Sequence, residues 1–255
     1  MTRLFVALVA LAVSAPAYAQ AAPAGTPVLV ELFTSEGCSS CPPADKLLAQ
    51  LQKQQPVSGA HIVAMEEHVD YWDHQGWRDR FSSAKFTQRQ SFYAPRLGFD
   101  DSYTPQMVVD GETQFLGSDS SKAVAAISQA AGKDKIALEV MTPAVSGQTV
   151  TGSVVGKPGG ERLPRGDLYA VLVQPFASTE VRGGENGGKQ LNHVSVARSF
   201  ARIGKIEDLA RGPVNFKISA PSQTEPAGMR LVVFAQLPSQ GAVRGIAEAE
   251  IHGAR

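Results

Sequence analysis

The sequence predicts an alternating α/β domain over residues 27–135, followed by an antiparallel β-sandwich-like domain over residues 136–255. Three observations carry this. Apolar strand-like runs alternate with helical periodicities through the first part. Seven short strand-like runs without a convincing helix, parted by Pro, Gly and polar residues, fill the second. Cys38 and Cys41, the chain's two cysteines, stand where the first strand meets the first helix.

The elements follow in order. Val28–Phe33 is apolar apart from Glu31, the pattern of a strand buried on both faces. Ala44–Gln54 carries Leu47, Leu48 and Leu51 on one helical face. His61–Met65 is a short second strand, and His68–His74 a long loop or broken helical segment. Ser83–Tyr93 is helical. Gln106–Val109 and Thr113–Leu116 flank Asp110-Gly111, a strong hairpin signal. Ser120–Ala131 is a short helix with Gly132 past its end. The strand-like runs of the second part are Ile136–Met141, Thr149–Val155, Asp167–Val173, Val194–Ile203, Val214–Ser219, Arg230–Leu237 and Ala242–Ile251. Parts of Val194–Ile203 fit a helix equally well.

Residues 1–19 read as a secretory signal peptide. Arg3 gives a positive start, Leu4–Val13 an apolar run, and Ala17-Tyr18-Ala19 a small-x-small cleavage site. The run is shorter than the ~20 apolar residues a spanning helix needs, which favours cleavage over an uncleaved anchor. Gln20 rather than Cys follows the cut, so no lipid anchor is expected. Residues 20–26 form a flexible leader. The mature protein is expected to be periplasmic or secreted, with no membrane anchor after signal removal. The full chain's 24 basic and 24 acidic residues balance, which gives no electrostatic case for nucleic acid or an anionic membrane.

Export makes disulfides chemically permissible. Two cysteines are too few to scaffold a chain that can bury adequate cores without them. The pair therefore points to reactivity, namely reversible closing and opening of a small disulfide ring. A thiolate is the attacking species, and its pKa of about 8.5 falls to roughly 3.5–7.5 near a helix N-terminus or a cation. The layout makes Cys38 the nucleophile and Cys41 the less exposed resolving thiol. Pro42 and Pro43 allow the helix to start at either, which would leave Cys38 just outside it. Two other uses remain open: a copper or zinc pair with a distant His, and a static staple. The staple would stabilise little because its loop is so short. Redox chemistry is favoured over metal, and metal over the staple.

Two resemblances rest on these residues. The apolar strand, Cys38-Ser39-Ser40-Cys41, the following helix and Tyr103-Thr104-Pro105-Gln106 resemble the thioredoxin superfamily. That resemblance implies a thioredoxin-like fold for residues 27–135, with Thr104-Pro105 as a cis-proline element beside the cysteines that holds substrate. The alternative is an ordinary trans-proline opening an edge strand. Glu31 resembles the buried acid of thioredoxins, with one residue more before Cys38, and would accept the proton of Cys41. The alternatives are a surface Glu or one paired to an Arg. Thioredoxins carry Trp and Gly-Pro where this chain has Gly37 and Ser39-Ser40, which leaves the direction of electron flow open. The block Val30–Asp45, with His68–Asp73, Tyr103–Gln106 and Glu185-Asn186-Gly187 through Leu191 and His193, resembles the exported bacterial proteins of domain-of-unknown-function family 1223.

His68, Asp70, Asp73 and His74 cluster with Tyr71, Trp72 and Trp77. Aromatic packing with some groove lining is favoured over a metal site. His68 and Trp72 join Thr104 and Pro105 as expected substrate-binding residues, since ligands bind at the carboxyl ends of strands in open α/β sheets. Gly183–Gly188 reads as a loop between strands, and the sequence does not place it against the cysteines. The function expected is extracytoplasmic thiol–disulfide exchange on a thiol- or disulfide-bearing protein, with no cofactor and no metal ligands assigned. A copper-binding chaperone using Cys38, Cys41 and His68, or a non-catalytic binding module, is the alternative.

Overall fold

A computed structural model describes residues 25–157, 163–222 and 224–253. Residues 1–24, which hold the expected signal peptide and most of the expected leader, lie outside the described residues.

The first half runs β1 (Thr26–Thr34), α1 (Pro42–Gln54), β2 (Ala60–His68), α2 (Ala84–Leu97), β3 (Gln106–Val109), β4 (Thr113–Leu116) and α3 (Ser120–Ala131). β1 and β2 are parallel, and β3 runs antiparallel to both β1 and β4. Side chains alternate across a strand, so β1 faces two cores. Val28, Val30 and Leu32 meet α1 and α3 through Ala44, Leu48, Leu51 and Ile127. Leu29 packs with Phe86 of α2 on the other face, and Phe33 with Tyr93 of the same helix.

Local chemistry sets the ends of the helices. α1 opens on Pro42 and Pro43, where the missing N–H groups cost nothing. The Ser83 hydroxyl caps α2 by accepting from the Lys85 N–H, and Gly98 closes that helix at φ 68°. Asp119 caps α3 by accepting from the Lys122 N–H. Asp110 and Gly111 both take positive φ, 49° and 66°, as the tight hairpin between β3 and β4 requires.

The second half adds β5 (Ala137–Ser146), β6 (Thr149–Lys157), β7 (Asp167–Glu180), β8 (Gln190–Lys205), β9 (Val214–Ser219), β10 (Arg230–Gln236) and β11 (Val243–Glu250). Four of these strands extend the first sheet, giving the order β11-β10-β7-β8-β2-β1-β3-β4. β5, β6 and β9 form a second sheet. It covers one face of the outer strands, with Val150, Val154, Phe216 and Ile218 against Leu168, Leu172, Leu231 and Val233. The two halves therefore share one sheet. Their backbone seam is slight: β2 and β8 pair through Glu66↔Val196 alone. The segment Val194–Ile203, open to either assignment from its sequence, is strand within β8. Register shifts opposite Leu168/Tyr169 and Leu172/Val173 break its two-residue alternation, which is why its pattern mimics a helix.

Charge is buried on the α2 face of this sheet. Arg89 Nε lies 2.5 Å from Glu31 Oε1 and 3.5 Å from Glu67 Oε1. The Tyr93 hydroxyl donates to Glu31 Oε2 at 2.7 Å, and Gln236 donates to the Tyr93 hydroxyl at 3.0 Å. Burial and the neighbouring Glu31 push the Glu67 carboxyl well above its usual range. Removing the guanidinium would strand buried carboxylates. Arg89→Met should therefore lower the unfolding free energy in urea by about 3–5 kcal/mol. A loss below about 1 kcal/mol, the level of an exposed ion pair, would contradict this packing.

Candidate functional site

The cysteines lie at the carboxyl end of β1, where Ser35–Ser40 turns the chain into α1. Backbone bonds from Cys38 N–H to Ser35 O, Cys41 N–H to Cys38 O and Ala44 N–H to Cys41 O wind this turn onto the helix. The wound turn brings Cys38 and Cys41 to a Cα separation of 5.4 Å, and their sulfurs form a disulfide. The helix starts at Pro42, so Cys41 holds the N-cap position and Cys38 stands outside it.

Accessibility differs from the sequence expectation of an exposed attacking Cys38. Both Cys38 and Cys41 are 0% exposed. A loop from the second half is bonded to the turn that carries them. Asn186, itself fully buried, donates from Nδ2 to the carbonyls of Glu36 and Cys38, both at 2.9 Å. Glu185 Oε2 accepts from the Ser39 N–H at 3.0 Å. Glycines let this loop approach: a Cβ on Gly183 would fall 2.4 Å from the Gly76 carbonyl oxygen. Gly183–Gly188, which the sequence did not place, is thus fastened to the turn that carries the disulfide.

Three further expected residues gather here. Trp72 Nε1–H donates to Thr104 Oγ1 at 2.8 Å. The Thr104–Pro105 peptide is cis. A Cβ on Gly117 would lie 3.1 Å from both Pro105 Cβ and Ala44 Cβ, which sets the proline beside the first turn of α1. Trp72 also backs the cysteine loop, because a Cβ on Gly37 would meet Trp72 Cβ at 3.2 Å.

Two expected residues do not fit their roles. Glu31 points to the α2 face, opposite α1, where it is bound by Arg89 and Tyr93. Its odd position in β1 decides this, since even positions face α1. Glu31 therefore cannot take a proton from Cys41. His68 is fully buried in a cluster of charged side chains, so it is not part of the surface beside the cysteines. Its Nδ1 lies 2.6 Å from Asp79 Oδ2, and its ring centroid 4.7 Å from that of His193. Asp70 and Asp73 tie the loop down instead, accepting from Thr87 Oγ1 of α2 and from Ser82 Oγ, and His74 is exposed.

The acid nearest the cysteines in the α1 core is Asp45, one helical turn after Cys41. Its backbone N–H bonds to Cys41 O, and its Oδ1 accepts from Thr34 Oγ1 at 2.7 Å. Burial, helped by the charge of Glu66, pushes its carboxyl up to about 7. Asp45, Asp79, Glu66, His193 and Asn186 were all missed as site residues. The i, i+4 spacing of Cys41 and Asp45 was an available signal, as was the Glu66-x-His68 alternation at the end of β2. The expected strand stopped at Met65, which hid that alternation.

Comparison with known proteins adds a family and a fold. The family model described as "protein of unknown function (DUF1223)" matches residues 29–236. A crystal structure of a protein from Agrobacterium tumefaciens, a structural genomics target, is 22% identical with a TM-score of 0.65. The match covers 90% of this chain and 96% of that one, so the two share a fold. No curated protein matches the chain.

Asp45 generates a pH prediction. A carboxyl at about 7 when folded and 3.8 when unfolded makes the native state bind more protons between those values. Its contribution to stability is present below that window and is lost as pH rises through it. Asp45→Asn should flatten this decline in urea unfolding, with chelator present to keep stray cations from the nearby imidazoles. An unchanged slope would contradict the assignment.

Proposed function

The chain belongs to the DUF1223 family, and from that premise we propose that it is an extracytoplasmic thiol–disulfide oxidoreductase whose Cys38–Cys41 pair works behind a liftable loop. The observation that carries this is the closed Cys38–Cys41 ring at the junction of β1 and α1. The order β2-β1-β3-β4, with α1 and α3 on one face and α2 on the other, supports a thioredoxin-like reading of the first half. The secretory character of residues 1–19 supports an oxidising compartment.

The exchange balances as follows. A thiolate of a dithiol substrate attacks Sγ of Cys38, forming a mixed disulfide and releasing Cys41 as a thiolate. Asp45, one helical turn after Cys41, is the proposed partner for the proton this sulfur takes up. The substrate's second thiolate then attacks its own sulfur in the mixed disulfide. Its disulfide closes, Cys38 leaves as a thiolate, and two electrons have passed to the cysteine pair. The reverse sequence reduces a substrate disulfide. Trp72, Thr104 and Pro105 form the wall beside the pair and are the proposed docking contacts. The copper-chaperone alternative draws no support from this geometry, because His68 faces Asp79 and Glu66.

The loop must lift first, since both sulfurs are covered. Asn186→Ala removes two hydrogen bonds that hold it. It should speed reduction of the native disulfide by dithiothreitol about tenfold or more, as a loss of about 1–3 kcal/mol of hydrogen bonding implies. Cys41→Ala should accumulate mixed disulfides through Cys38, and more of them when combined with Asn186→Ala. The proposal fails if no adduct forms in either background and Asn186→Ala leaves the reduction rate unchanged.

A further inference from the structure

We propose that Glu66, His68 and His193 form a binding site for a divalent first-row transition metal, and that the metal staples the two halves of the large sheet together. The proposal is independent of the redox reading. It uses neither cysteine.

The three side chains come from both sides of the seam. Glu66 and His68 lie two residues apart on β2 and share the face toward α1. His193 comes from β8, the strand that joins the second half to β2. One ligand atom from each residue lies within 4.8 Å of the other two, and all three residues are 0% exposed. Glu66 Oε2 is 3.1 Å from His193 Nδ1 and 3.6 Å from His68 Nε2. An ion about 2.0–2.2 Å from nitrogen and oxygen ligands in tetrahedral geometry separates neighbouring ligand atoms by roughly 3.3–3.6 Å. The Glu66–His68 edge matches that spacing, the Glu66–His193 edge is slightly shorter, and the His68–His193 edge lies within 4.8 Å.

Hydrogen bonding points the same way. Glu66 Oε2, His68 Nε2 and His193 Nδ1 are buried and have no hydrogen-bond partner. The close approach of Glu66 and His193 is thus not an aligned bond. Three inward-facing buried atoms left unpaired would each destabilise the fold. With the protons of the two imidazoles released at these atoms, all three offer a lone pair, and one cation satisfies them together.

The outer contacts complete the pattern. His68 turns its other nitrogen, Nδ1, to Asp79 Oδ2 at 2.6 Å. Asp79 is fixed in turn by the backbone N–H groups of Glu36 and Phe81. His193 turns its other nitrogen, Nε2, toward Glu36 Oε1 at 3.6 Å. The second oxygen of Glu36 accepts from Trp77 Nε1–H at 2.8 Å. Glu66 Oε1 accepts from the Val194 N–H at 3.3 Å. His68 is thus backed by a hydrogen-bonded carboxylate, the arrangement that orients histidine ligands on metals, while His193 Nε2 and Glu36 Oε1 face each other without a bond. Two imidazoles and one carboxylate suit zinc or cobalt(II), and suit calcium or magnesium poorly. Where the backbone pairs once, at Glu66↔Val196, such an ion would supply the missing cohesion.

The test uses the full mature chain with its disulfide intact, stripped with chelator and titrated with cobalt(II). The proposal predicts one equivalent bound, visible d–d bands without a thiolate-to-cobalt charge-transfer band, and a melting temperature that rises with added zinc(II). The double variant Cys38→Ser, Cys41→Ser should bind as well as the parent. His193→Ala and the near-isosteric Glu66→Gln should each weaken binding about a hundredfold or more. Asp79→Asn should weaken it about 10–100-fold, as losing an outer partner does. Near-ultraviolet circular dichroism checks each fold. If His193→Ala does not fold, Glu66→Gln and the titration of the parent chain decide alone. The proposal is overturned if the parent chain binds no stoichiometric cobalt(II), if binding survives Glu66→Gln at full strength, or if it requires the cysteines. The first of these results would make the cluster a set of buried imidazolium–carboxylate pairs.

Discussion

Charge buried at the carboxyl end of β2 is the constraint on which the rest of this structure depends. β2 lies between β1 and β8 near the middle of the eight-stranded sheet, and Glu66, Glu67 and His68 are all fully buried there. A buried charge must find a partner or give up its ionisation. Alternation sends Glu67 to one face and Glu66 with His68 to the other. On the first face Arg89 of α2 meets Glu67 and Glu31. On the second, His193 of β8 and Asp79 of the loop after β2 close around Glu66 and His68. Each half of the chain thus supplies groups that the other half's charges need, and this coupling holds across a seam with one backbone pair.

The same coupling governs the cysteines. The disulfide belongs to the first half, and its cover, Arg182–Lys189, belongs to the second. Lys189 binds Asn186 Oδ1 at 2.9 Å, and Gly188 N–H bonds to Val181 O, so the cover is a closed turn rather than a loose strand connection. Asn186 reaches the carbonyl of Cys38 from that turn. Access to sulfur is therefore a property of the loop's hold on the cysteine turn. It is not set by the exposure of the α1 terminus, as it would be in a lone strand–helix unit.

Much of the fold was readable from the residues. β3, β4, α3 and β9 have the bounds that the patterning of apolar residues, Asp110-Gly111 and Gly132 implied. These elements are governed by local turn and capping chemistry. What could not be read depends on pairing between distant segments. Nothing in Val194–Ile203 announces β2 as its neighbour, and the bulges in β8 blur its period. The site divides in the same way. Cys38 and Cys41 sit three positions apart in the chain, so their meeting was evident from spacing. Trp72 and Thr104 are joined by a single hydrogen bond across distant segments. Glu31 was assigned by analogy with a buried acid, but the parity of its position in β1 places it on the other face with Arg89. His68 was placed at the correct end of the sheet, yet its environment depends on His193, over a hundred residues away.

The central claim is that the folded protein opens its disulfide by local movement of the covering loop. The rate at which dithiothreitol reduces Cys38–Cys41, followed across urea concentrations below the unfolding transition, tests this most directly. Local opening exposes little surface, so the account predicts a rate nearly independent of urea in that range. A rate that climbs with the full urea dependence of global unfolding would contradict it, because the disulfide would then be reachable only in the unfolded chain.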